Sequence, residues 1–93
     1  MEYLEALEDA INKGYGCKSK HLKTVPTKLT HDGVIIWDGE VEVFEIIGHP
    51  KAKKCYGWGF EKEKGEIEFV TVLEILPVID TETAVKAYLA SQS

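Results

Sequence analysis

Two cysteine–histidine pairs, Cys17 with His21 and His49 with Cys55, carry the residue types that bind zinc or activate a thiol. A zinc centre announces itself by tight knuckles of the Cys-x2-Cys or His-x3–5-His kind. Neither pair has that spacing, and Cys55 falls in a stretch that reads as a strand, where a small thiol packs as a hydrophobe. A cysteine nucleophile beside His49 needs a third group to orient the base, and none is identifiable. The segment Gly14–Ser19 ends in the Lys-Ser of a phosphate loop, but Cys17 stands where the preceding glycine belongs and a helix precedes it instead of a strand. The chain is therefore read as having no catalytic residues, no metal ligands and no cofactor.

The charged residues are more informative. The net charge of −5 hides a strong asymmetry. Between Ala10 and His31 there is no acid but five lysines, Lys13, Lys18, Lys20, Lys23 and Lys28. Lys51, Lys53 and Lys54 follow His49 and Pro50, so eight of the eleven lysines occupy two short segments. If these converge, Lys18, Lys20, Lys23, His49, Lys51, Lys53 and Lys54 form a basic patch able to attract the phosphate backbone of a nucleic acid with strong salt dependence. With no arginine in the chain, such binding would be poor in sequence specificity. Glutamates expected on the sheet surface, among them Glu40, Glu42, Glu61, Glu63, Glu66 and Glu68, would repel a polyanion elsewhere. An acidic protein, or another copy's glutamates, would meet the lysines equally well.

The elements that must position these residues follow from periodicity. Leu4, Leu7 and Ile11 predict an amphipathic helix over 2–13, with Glu2 and Glu5 at its N-terminal dipole and Gly14 as its stop. Residues 14–21 read as a flexible connector. Pro26 confines residues 21–30 to an edge strand or extended loop. Asp32-Gly33 and Asp38-Gly39 both suit a two-residue hairpin turn, and the second is taken as the turn, which puts Val34, Ile36, Val41 and Val43 on one face. Val43-Phe44 breaks the alternation and predicts a bulge. Residues 54–60 and 66–75 form a further hairpin with Gly65 left-handed, Glu61 opposite Glu66 and Trp58 opposite Phe69. Pro77 closes it, and Asp80 caps a last helix bearing Ala84, Val85, Tyr88 and Leu89, with Ile79 stapled onto Ala84.

The fold class is α+β: a four- to five-stranded antiparallel meander flanked by an N-terminal and a C-terminal helix (α-β-β-β-β-α), one domain over 1–93. The order of elements resembles that of double-stranded RNA-binding domains. Those carry a lysine cluster at the start of the last helix, where this chain has only Lys86, and no function follows from the resemblance.

Tyr56, Trp58 and Phe60 alternate onto one face and read as core. Glycines and glutamates on the reverse face read as solvent-facing. That reverse face nevertheless carries apolar positions, with Ile35, Trp37, Val70 and Val72 beside Gly57 and Gly59. Either one helix packs on each face, or these six residues meet another chain. The expected function is that of a small non-catalytic binding module, not an enzyme, acting by protein contact as a homodimer or accessory subunit. The alternative is phosphate-backbone binding through the lysines. The acidic N-terminus lacks a signal-peptide pattern and no apolar run spans a membrane, which places the chain in the cytoplasm with Cys17 and Cys55 as free thiols.

Overall fold

The computed structural model describes residues 3–92. They form α1 (Tyr3–Tyr15), β1 (Lys18–His31), β2 (Val34–Ile47), β3 (Lys54–Glu61), a single 3-10 turn (Glu63–Gly65), β4 (Ile67–Leu73) and α2 (Thr81–Gln92). The four strands make one antiparallel sheet in the order β1-β2-β3-β4. The expected α+β meander is thus present, and Pro26 does lie on an edge strand, opposite Glu40.

One helix covers each face of the sheet. On one side Leu7 and Ile11 of α1 bury against Phe44, Ile46, Cys55 and Cys17, with Leu4, Tyr15, Phe69 and Leu73 around them. On the other, Ala84 and Val85 of α2 bury against Leu29, Val41, Val43, Tyr56 and Trp58. Full burial of side chains such as Leu7 or Ile11 stabilises the fold by about 1.5–3 kcal/mol each. Two buried faces explain why Val43 and Phe44 are both apolar, since adjacent residues serve opposite cores. The bulge expected at Val43-Phe44 is absent, since these pair regularly with Tyr56 and Cys55; the extra residue is in β1, where Leu22 lies between His21↔Phe44 and Lys23↔Val43.

Several sequence expectations are corrected. The hairpin turn is Asp32-Gly33, both with positive φ (52° and 78°), as a type I′ turn requires. Asp38 and Gly39 lie inside β2, opposite Lys28 and Thr27, and the Trp37 ring lies over Gly39, 3.0 Å from where a Cβ would stand. Val34 and Ile36 consequently project near the hairpin tip, exposed, while Val41 and Val43 are core. In the next hairpin the register is shifted by one residue: Glu61 opposes Ile67, Trp58 opposes Val70 and Gly59 opposes Phe69. The loop spans residues 62–66, closed by Lys62 N–H donating to the Glu66 carbonyl, with Lys64 as well as Gly65 left-handed. The face bearing Gly57 and Gly59 is not open to solvent, because Leu7 and Tyr3 of α1 lie against these glycines. Strand β1 begins already at Lys18, so the connector is only two residues long. Asp80 does cap α2, accepting the Thr83 N–H at 2.8 Å while the Thr83 hydroxyl accepts the Asp80 N–H at 3.0 Å. The staple fails: Val78 is buried and Ile79 is exposed. Glu2, expected in the first helix, lies outside the described residues.

The central strands part halfway along. Strand β2 pairs with β3 only over Glu42–Glu45 and Lys54–Gly57, so residues 34–41 and 58–61 belong to two separate ribbons. Tyr3 occupies the parting on the α1 side, its hydroxyl accepting the Gly59 N–H at 2.6 Å. Trp37 and Trp58 meet on the other side, ring centroids 5.7 Å apart. The outer edge of β4 is closed at Thr71, whose carbonyl accepts the Tyr15 hydroxyl at 3.1 Å, which protects it from pairing with another strand.

Candidate interaction surface at the lysine end

The sheet brings the two lysine segments together. Antiparallel register sets Lys18 beside Ile47, and Lys20, Glu45 and Lys54 in one row across three strands. The Glu74 N–H donates to the Lys54 carbonyl at 2.9 Å, which extends that row to a fourth position. The row therefore reads Lys20, Glu45, Lys54, Glu74, alternating in sign. Lys23 follows two pairs along, opposite Val43.

The loop between β2 and β3 is shaped by His49. Its Nδ1 accepts the N–H of Lys51 at 3.0 Å and of Ala52 at 2.9 Å, which requires that nitrogen to be unprotonated. Ala52 turns inward and is buried, so Lys51 and Lys53 on either side are held outward. The Ile46 N–H donates to the Lys53 carbonyl at 2.8 Å and ties the loop to β2. Among the described residues the lysine ion pairs are Lys13–Asp9 and Lys62–Glu68, and none of the six lysines of this end is in direct contact with an acid. Six lysines stand here against three acids, Glu45, Glu74 and Asp80, the last two both acting on the Tyr56 phenol.

Apolar side chains share the surface. Ile47 is 55% exposed at the end of β2, and in the connector from β4 to α2 Leu76 is 82% exposed, with Ile75 and Ile79 also open. Exposed aliphatics at the same end as the lysines suit a protein surface better than a bare phosphate chain, which offers charge without apolar contact.

The six positions considered for an open sheet face are mostly covered by the chain's own helices. Trp37, Val70 and Val72 pack against the α2 core, Gly57 lies under Leu7, and Gly59 under Tyr3. Ile35 alone is well exposed, at the hairpin tip. Tyr56, Trp58 and Phe60 share the α2 face as expected. Trp58 meets Tyr88 at 5.6 Å, and the Tyr56 hydroxyl donates to Glu74. Burial and the Glu74 carboxylate push the Tyr56 phenol well above its ordinary range.

The four zinc candidates have separate roles. The Cys17 and Cys55 thiols are buried in the α1 core, bonded to the Tyr15 and Tyr56 carbonyls, and His49 serves its loop. His21 was the least legible of the four. The Leu22 bulge turns it onto the α1 face, where its Nε2 lies 2.8 Å from Glu42 Oε1 and its ring meets Phe44 edge-on. Glu42 is thus not a surface acid but a buried one, 6% exposed and also bonded by the Thr24 hydroxyl. No group of three or more metal-ligating side chains is placed around a common point among the described residues, and no described helix is long and apolar enough to cross a membrane. No family model matches the chain, and no curated protein or solved structure does either.

Proposed function

We propose that the chain is a non-catalytic interaction module whose lysine end docks an acidic, partly apolar protein surface. The observation that carries this reading is the strand register, which sets lysines from two distant segments at one end of the sheet, with Lys18 beside Ile47, at the end where β4 leads into the exposed Ile75 and Leu76. The chain's own helices cover both sheet faces, which leaves the ends of the sheet as its open surfaces. Two features favour protein over nucleic acid: the exposed aliphatics, and Glu45 in the middle of the lysine row, which opposes a phosphate chain but can pair with a partner's cation.

Fluorescence anisotropy separates the two partner classes. The probes are a labelled glutamate-leucine peptide and a labelled single-stranded oligodeoxynucleotide of equal charge. The peptide is expected to bind more tightly, and to retain part of its affinity at high salt through the aliphatic contacts. Tighter oligonucleotide binding would assign the surface to nucleic acid instead, and no binding of either probe would remove the proposal.

A further inference from the structure

The end of the sheet opposite the lysines has the complementary character. Both the Asp32-Gly33 turn and the 62–66 loop lie there, because the meander returns β1 and β3 to the same side. An open depression of about 600 Å³ is lined by Phe60, Glu61, Lys62, Glu63 and Glu66. Lys62 is engaged with Glu68 at 3.2 Å, and Lys64 of the same loop leaves Glu61, Glu63 and Glu66 in excess at the rim by three charges to one. Phe60 supplies an apolar floor. Such a depression fits a lysine, whose methylene stem lies along the ring while its ammonium reaches the carboxylates. On the same end Val34, Ile35 and Ile36 are each at least half exposed.

We infer that the acidic partner is a second copy of this chain, bound head to tail. Lys51, Lys53 and Lys54 of one copy face the Phe60 depression of the next, and its Val34–Ile36 tip meets Ile47, Ile75 and Leu76. This rests on the lysine end being a docking surface and names its partner. Charge and apolar complementarity coincide on both ends, and the two ends are opposite one another. Each copy can therefore use both at once, and a heterologous contact of this kind propagates instead of pairing off.

Sedimentation equilibrium tests this with two neutralised variants, K51Q/K53Q/K54Q and E61Q/E63Q/E66Q, all at exposed positions outside both cores. The unmodified chain should grow past the dimer with concentration at low salt, and association should weaken by about tenfold or more near 0.5 M salt, where the screening length falls to a few ångströms. Each variant alone should stay monomeric, and an equimolar mixture should form a one-to-one pair and nothing larger. A monomer or a closed dimer for the unmodified chain, or growth by either variant alone, overturns the inference. If the unmodified chain is monomeric yet still binds the glutamate-leucine peptide, the self-association fails while the docking surface stands. If it binds no peptide, both fail.

Discussion

The Tyr3 hydroxyl accepts the Gly59 backbone N–H at 2.6 Å, at the point where β2 and β3 part. An N–H that continued sheet pairing would satisfy is instead met by a side chain of α1. The same ring stands 2.9 Å from where a Cβ on Gly59 would lie, with Ile67 and Phe69 each at 3.2 Å. The helix is thus seated on the glycine by shape and by one hydrogen bond. Gly59→Ala is expected to destabilise the fold by about 1–3 kcal/mol through this crowding. Tyr3→Phe should cost about 1 kcal/mol, less than the glycine change because water can reach the freed N–H. Urea unfolding of both variants and of the double mutant measures the coupling; a Gly59→Ala chain as stable as the parent would refute the contact.

Asp80 gives the fold a dependence on acid. The Thr83 N–H, and then its hydroxyl, hold the Asp80 carboxyl below its ordinary range. A carboxylate depressed in the folded state contributes stability above its unfolded value, and that contribution is lost as pH falls through the folded one. Asp80→Ala should therefore cost about 1 kcal/mol at neutral pH, with the difference from the parent shrinking below about pH 4. Asp80→Asn should keep most of the cap without the pH dependence. Thermal melts across that range decide it, and a constant penalty for Asp80→Ala down to pH 2 would contradict it.

Burial pushes the Cys55 thiol up to about 12, with no exposed surface for a reagent to reach. Iodoacetamide at pH 8 should leave Cys55 unmodified in the folded chain and label it once denaturant opens the α1 core. Peptide mass spectrometry reads the site directly. Prompt labelling of folded Cys55 would show that the core is not closed there.

Glu45 separates Lys20 from Lys54 in the cross-strand row. Removing its charge leaves those lysines without their neighbouring acid, so Glu45→Gln should tighten binding of an acidic peptide by about two- to threefold at low salt and lose that advantage at high salt. Weaker binding by the variant would mean that Glu45 itself contacts the partner.

Much of the architecture was legible because periodicity reports burial. The α1 stripe, the edge-strand proline, the α2 cap and the core role of Trp58 all rest on local pattern. What local pattern could not rank was two identical Asp-Gly pairs. The Asp32-Gly33 turn wins because it gives β1 and β2 fourteen residues each and lets Trp37 cover Gly39 and reach Trp58, a gain visible only once the strands are paired. The one-residue slip between β3 and β4 came from a loop longer by one residue, made possible by left-handed Lys64, a conformation its residue type does not advertise. The buried Glu42–His21 pair was hidden for a related reason: the Leu22 bulge reverses which face His21 serves. The clustering of the lysines was plain in the chain, whereas their meeting at one end depended on the register.

The measurement closest to the central claim is an amide NMR titration of the labelled protein with the glutamate-leucine peptide at low and high salt. If the two lysine segments form one surface, amides of residues 18–23 and 48–54 shift together with a single midpoint, and the shifts shrink as salt rises. Shifts in only one segment, different midpoints for the two, or shifts confined to the hairpin tip would contradict it.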